Sequence, residues 1–74
     1  MSLQEFIDTF IQKGTIDVYL NHMSNYQGTI RKNESGIKLG FSLGNYNELK
    51  DCSVTSVFAD LENDLPVLVL MLSE

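Results

Sequence analysis

The stretch from Val18 to Ile30, VYLNHMSNYQGTI, reads as two strands joined by a short loop, with Gly28 inside the second strand. A glycine in a strand interior is destabilising, because it loses more backbone entropy on folding and offers no side chain for packing. Glycine is nevertheless favoured where a sheet bends, bulges or approaches another backbone. We therefore expect Gly28 to mark a bend that lets a small sheet close on itself.

The residues before this stretch predict a helix over 2–13, SLQEFIDTFIQK. Ser2 and Glu5 have the spacing of a capping box. Gly14 is then expected to end the helix as its C-cap. Apolar residues recur at helical spacing, so one face of the helix should pack over an end of the sheet. The residues of this apolar face are Leu3, Phe6, Ile7, Phe10 and Ile11.

After Gly14 the period of the apolar residues changes to two, which is typical of half-buried strands. In the first strand Ile16, Val18 and Leu20 point inward, whereas Asp17 and Tyr19 point to the other face. The second strand should turn Tyr26, Gly28 and Ile30 inward. The pattern predicts a mainly β fold, a helix followed by a small, strongly bent, five-stranded antiparallel barrel within 15–61; the later strands are expected at 26–32, 37–43, 48–53 and 54–61.

The segment 65–72, LPVLVLML, is apolar on both faces, which is typical of a strand buried on both sides. We interpret it as an additional C-terminal strand that lies against another subunit, or between the barrel and a neighbour. The whole chain, 1–74, is expected to form a single domain.

Size and charge limit the possible functions. A chain of 74 residues with a net charge of −5 forms a small domain of marginal stability, and oligomerisation is a common remedy. One cysteine and one histidine provide neither an intrachain disulfide nor a Cys/His metal cluster, so no cofactor or metal is expected. The longest apolar run is too short to span a bilayer. We expect a cytoplasmic protein with no membrane partner.

The sequence favours a protein that is not an enzyme. His22 falls in the predicted hairpin loop, and Cys52 follows Asp51, whose charge should raise the pKa of the thiol. The acidic residues Asp60, Glu62 and Asp64 could be ligands of a calcium ion, but an EF-hand loop needs more ligands and a glycine. A solvated acidic turn is the preferred interpretation.

The order and spacing of several short motifs resemble the Sm-like family, in particular the bacterial Hfq proteins. These motifs are SLQ at the start of the helix, IDVYL, QGTI and IKL, and LKDCSVTSV is similar to the family's YKHAISTV with one extra residue. The resemblance covers roughly residues 2–58. It implies a homo-oligomeric ring, a hexamer or heptamer, in which the fourth strand of one subunit pairs with the fifth strand of the next.

The resemblance also implies two binding faces for single-stranded RNA. On the face that carries the helices, Gln4 and Lys50 match residues of a pocket for U-rich RNA. Ser35 and Gly36 stand where the family has Gln-Phe, and Asp51 or Cys52 stands where it has histidine, so the base-stacking aromatic is missing. Stacking contributes about 1–3 kcal/mol per base.

On the opposite face Tyr19 and Gln27 match the residues that stack on adenine and read its edge, and Asn25 lies close by in the sequence. The alternative is structural: Tyr19 packs on the sheet and Gln27 is solvated.

Two functions follow. The first is a ring-forming RNA-binding protein, an RNA chaperone or an RNA-processing or regulatory protein. The alternative is an acidic ring that acts as a protein-interaction scaffold with little affinity for RNA. Convergence of the basic residues on one face would favour RNA; they are Arg31, Lys32, Lys38 and Lys50.

Overall fold

The computed structural model describes residues 1–39 and 46–74. The chain is mainly β, with an N-terminal helix and a five-stranded sheet, as the sequence predicts. Within these two ranges no helix is long and apolar enough to cross a lipid bilayer. The elements in chain order are α1 (Leu3–Phe10), β1 (Gly14–Leu20), β2 (Tyr26–Asn33), β3 (Gly36–Leu39), α2 (Tyr46–Leu49), β4 (Ser53–Glu62) and β5 (Leu65–Ser73).

The capping box at the start of α1 is confirmed. The Ser2 side chain accepts a hydrogen bond from the Glu5 backbone N–H at 3.1 Å, and the Glu5 side chain accepts one from the Ser2 N–H at 3.1 Å. The helix is shorter than predicted, because the backbone is already extended at Ile11 and Gly14 begins β1 instead of capping the helix. Lys32 of β2 donates from Nζ to the Ile7 carbonyl at 3.2 Å, which places a positive charge near the negative end of the helix dipole.

The sheet has the strand order β3-β2-β1-β5-β4. Three neighbouring pairs are antiparallel, but β1 and β5 are parallel, so the expected all-antiparallel sheet is wrong. In the described ranges the sheet is open, with β3 and β4 at its edges. The parallel pair arises because β5, not β4, enters the sheet beside β1. A strand that is apolar on both faces gains most from such a central position.

The segment 65–72 is therefore one of the five sheet strands and not an addition to them. Leu70 and Leu72 are fully buried on the face toward α1, while Val67 and Val69 on the other face are 6% and 4% exposed. Both strand neighbours of β5, β1 and β4, belong to the same chain. Both edges of β5 are therefore filled within one chain, and contact of this strand with another subunit stays a prediction.

The fourth strand predicted at 48–53 does not form. Residues 46–49 are helical, and the following turn is closed by a hydrogen bond from the Cys52 N–H to the Leu49 carbonyl at 2.9 Å. Tyr46, Leu49 and Cys52 pack on the core at a spacing of three residues, which suits a helical turn and not a strand. The predicted fifth strand is accordingly β4.

Gly28 is buried and has φ of +143°, a conformation that residues with a side chain rarely adopt. It lies opposite Val18, next to a bulge between β1 and β2. Residues 40–43 of the predicted third strand lie outside the described residues. The core between α1, α2 and the sheet consists of Leu3, Ile7, Ile16, Val18, Ile30, Leu49, Leu70 and Leu72.

Candidate nucleic-acid interface

The loop between β1 and β2 is closed by its own backbone. Asn21 adopts φ of +67°, which asparagine tolerates better than most residues. The Leu20 N–H then donates to the Asn25 carbonyl at 3.0 Å, and the Asn25 N–H donates to the His22 carbonyl at 3.0 Å. The His22 ring hydrogen-bonds to the Ser24 hydroxyl at 2.6 Å, so it belongs to the loop structure. These contacts hold Asn25 at the start of β2.

A bulge decides which side chains emerge beside this loop. Val18 pairs with Gly28, but Tyr19 pairs with Tyr26, so Gln27 is the extra residue on β2. Because of this extra residue, Tyr26 lies on the face opposite to the one that regular alternation from Gly28 would give. Tyr26 is consequently 46% exposed, and its predicted inward orientation is wrong.

Tyr19, Asn25, Tyr26 and Gln27 form a cluster that we call the tyrosine–amide patch. The two tyrosine rings lie with centroids 5.3 Å apart and planes inclined at 55°. The Gln27 side-chain amide donates to the Asn25 side-chain oxygen at 2.9 Å, which orients both amides. The patch thus combines flat rings with hydrogen-bonding groups, the two features needed to stack on a base and read its edge.

A polar chain leads from the patch to a buried carboxylate. The Thr29 hydroxyl donates to Asp17 Oδ1 at 2.8 Å, so the hydrogen bond between Tyr26 and Thr29 is donated by the tyrosine. Asp17 is only 4% exposed. Sequence alternation placed Asp17 on the face away from the core and gave no sign that this face is covered. The sequence pattern did not indicate that Thr29 and Tyr26 belong to this chain of hydrogen bonds, because only the pairing register places them near Asp17.

Carboxylates make the surroundings of the patch negative. Burial raises the pKa of Tyr19, and the charges of Asp17 and other nearby groups raise it further. The pKa of Glu62 is raised by a hydrogen bond with Asp17 and by the charges of Asp17 and Asp60. The side chains of Asp60, Glu62 and Asp64 are exposed, as expected for a solvated acidic turn. No group of three or more Asp, Glu, His or Cys side chains in the described part of the chain could hold a metal ion.

The raised pKa of Glu62 predicts a pH-dependent stability. Because the pKa of Glu62 is raised in the folded state, its contribution is present below the ordinary glutamate pKa and is lost as pH rises through the raised value. Glu62→Gln keeps a hydrogen-bond donor and removes the charge. The variant should therefore be more stable than the wild type at pH values above the raised pKa of Glu62. Denaturant unfolding at a series of pH values measures the difference.

The matched control for this pH series is Glu34→Gln, which removes the same charge from an exposed residue in the turn after β2. The difference between Glu62→Gln and the wild type should grow with pH, whereas the Glu34→Gln difference should stay constant. Two parallel profiles would contradict a coupling between Glu62 and Asp17.

The structure also brings Gln4 and Lys50 together. The Gln4 N–H donates to the Lys50 carbonyl at 3.0 Å, and the Leu3 N–H donates to the Cys52 carbonyl at 3.0 Å. Burial raises the pKa of the Cys52 thiol, and the charges of Glu74 and Asp51 add to the effect, so the thiol is not an activated nucleophile. Gln4 is exposed and Lys50 is half-buried at the N-terminal end of α1.

The basic residues do not converge on one face. Arg31 and Lys38 are cross-strand neighbours on the sheet face that carries Asp17. Lys32 lies on the opposite face and reaches the end of α1, while Lys50 follows α2. Of these four basic residues, all in the described ranges, Arg31 and Lys38 share a face with the tyrosine–amide patch.

Comparisons of the chain with protein-family models, with curated proteins and with solved structures gave no match.

Proposed function

We propose that the protein is a non-catalytic, Sm-like RNA-binding protein that assembles into a hexameric or heptameric ring and acts as an RNA chaperone or in RNA processing or regulation. The observation that carries the proposal is the tyrosine–amide patch, where Tyr19 and Gln27 lie beside Tyr26 and Asn25. An N-terminal helix over a small five-stranded sheet is compatible with an Sm-like barrel. The parallel pairing of β1 with β5 is a departure from our antiparallel prediction.

In this proposal an unpaired adenine stacks on Tyr19 or Tyr26 while the Asn25 and Gln27 amides recognise its edge. Amides suit this task because they offer both a donor and an acceptor. Arg31, on the same sheet face, would contact phosphates. The Gln4 and Lys50 pair at the end of α1 would form a second, weaker site, since it has no aromatic side chain of the kind the U-rich pocket uses.

Replacing Tyr19 by alanine should weaken binding of A-rich RNA. Loss of one stacked base costs about 1–3 kcal/mol, which corresponds to a dissociation constant roughly 5- to 150-fold higher. Tyr19→Phe keeps the ring and should bind nearly as well as the wild type. Fluorescence anisotropy with labelled A-rich and U-rich oligomers over a salt series measures both effects.

Gln12→Ala is the control for the RNA experiment, because Gln12 is exposed after the end of α1 and outside the patch. It should leave the affinity unchanged. Absence of A-rich binding at low salt, where phosphate contacts are strongest, would refute the proposal. An equal loss of RNA affinity in Tyr19→Ala and Gln12→Ala would show that the tyrosine–amide patch is not the RNA-binding site.

A protein-interaction scaffold with little affinity for RNA is the second candidate. The observation that favours it is charge: residues 51–74 contain five acidic residues and no lysine, arginine or histidine. Exposed apolar side chains occur in the same region, with Leu61 and Leu65 66% and 67% exposed. Under this hypothesis calorimetric titration should detect an oligolysine peptide but neither RNA nor an oligoglutamate peptide.

A further inference from the structure

Within residues 1–39 and 46–74 the sheet has two edges of different character, β3 and β4. In the part of the chain that the structure describes, no strand pairs with the outer edge of β3, and none pairs with β4 beyond Val54. The first residues of β4 are covered by the N-terminal segment, since the Val54 N–H donates to the Met1 carbonyl at 2.8 Å and Ser2 pairs with Ser53. Such free edges pair readily with another chain.

The free part of β4 is apolar on one face, and on the other face it carries acidic residues beside the exposed Phe58. Val57 lies opposite the buried Leu70, so Val57 and Leu61 share the face of the core. Asp60 lies opposite Val67 and therefore shares the face of Asp17, as does Glu62. Val57 and Leu61 are 45% and 66% exposed.

The edge strand β3 has the complementary pattern. Lys38 lies opposite Arg31, and Arg31 lies opposite Thr15, which places both cations on the face of Asp17. Ile37 lies opposite Lys32 on the core face and is 40% exposed. Each edge thus carries an apolar residue on the core face and charges on the Asp17 face, with opposite signs at the two edges.

We infer that β4 of one copy of this chain pairs with β3 of the next copy. The pairings within the sheet make β3 and β4 run in opposite directions, so a copy added in the same orientation forms an antiparallel pair. Lys38 then faces Asp60 or Glu62, and Ile37 joins Val57 and Leu61. The inference rests on the ring assembly of the proposed function and identifies its interface.

Charge favours this head-to-tail contact over a symmetric dimer. Two β4 edges would bring acidic residues together, and two β3 edges would bring lysines together; like charges directly opposite each other are destabilising in a sheet. The pairing that the Sm-like resemblance implied joins a fourth strand at 48–53 to the predicted fifth strand, which is β4 here; that fourth strand does not form, so it is not the partner of β4. Head-to-tail contacts form a ring when the rotation closes.

The experiment is light scattering coupled to size exclusion over a salt series. The wild type should be oligomeric at low salt and should dissociate as salt rises, because the charges at the rim of the interface are screened. Lys38→Glu and Asp60→Lys should each weaken association at least about tenfold. The double variant, Lys38→Glu with Asp60→Lys, should restore it.

The controls reverse the same charges away from both edges. Lys13→Glu and Asp8→Lys change exposed residues near and on α1 and should assemble like the wild type. Circular dichroism melting shows whether each variant is folded, and the wild-type salt series needs no variant at all. A wild type that is monomeric at low salt, assembly that is independent of salt, or a double variant that is no better than the single ones would overturn the inference.

The assembly result is distinguishable from the RNA result. A monomer that binds A-rich RNA through Tyr19 would refute the β4–β3 contact and leave RNA binding intact. An oligomer with the expected charge dependence and no RNA affinity would support the interface and refute the RNA-binding function.

Discussion

A chain that lacks residues 65–74 is expected not to fold. The deletion removes β5, which pairs with β1 on one side and β4 on the other. It also removes Leu70 and Leu72 from the core and leaves β4 without a neighbour in the sheet. The free energy of unfolding of a small domain is only about 5–15 kcal/mol. We expect the destabilisation caused by losing an inner strand to exceed it. Circular dichroism and denaturant titration of residues 1–64 test this expectation.

Single alanine substitutions of two leucines in β5 test the same point with a smaller change. Leu70→Ala removes a fully buried side chain and should lower the free energy of unfolding by about 2–5 kcal/mol. Leu65→Ala makes the same chemical change at a residue that is 67% exposed and should have little effect. Cooperative unfolding of residues 1–64, or equal effects of the two alanines, would show that β5 is not a core strand.

Gly28→Ala is expected to cause the second largest loss of stability. At φ of +143° an alanine is strained by about 1–3 kcal/mol, and the site is buried opposite Val18. The same change should disturb the neighbouring bulge, on which the exposure of Tyr26 depends. We therefore expect lower stability and weaker binding of A-rich RNA in the same variant, measured by denaturant unfolding and by anisotropy.

Gly14→Ala is the control for Gly28→Ala because it has nearly the same backbone conformation in an open position. Gly14 has φ of +144°, and an added Cβ there meets no atom within 4 Å. The difference between the two variants isolates the effect of burial from that of backbone strain. Equal destabilisation would mean that the surroundings of Gly28 are unimportant, and a neutral Gly28→Ala would contradict its role at the bulge.

The tyrosine–amide patch depends on this local geometry. Tyr19 and Tyr26 share a face only because Gln27 is an extra residue in β2. The same bulge places the Gln27 amide beside Asn25. A variant that restores regular pairing would separate the two rings even if the sheet remained stable.

The sequence by itself determined the features that depend on neighbouring residues. The capping box of Ser2 and Glu5 and the hairpin of β1 and β2 follow from local spacing, and the structure confirms them. The apolar face of α1 also packs on the core as predicted, except for Phe10, which is 60% exposed. The special backbone of Gly28 is also visible in the sequence, because a glycine inside a strand needs an explanation.

Only the tertiary structure decided how distant segments meet. The parallel placement of β5 beside β1 and the burial of Asp17, which accepts a hydrogen bond from Thr29, depend on residues far apart in the sequence. Periodicity reports which faces of a strand are apolar, but not which strand becomes its neighbour or where a bulge shifts the register. These outcomes are set by the total burial of apolar surface, which favours the doubly apolar β5 at the centre of the sheet and leaves β3 and β4 at its edges.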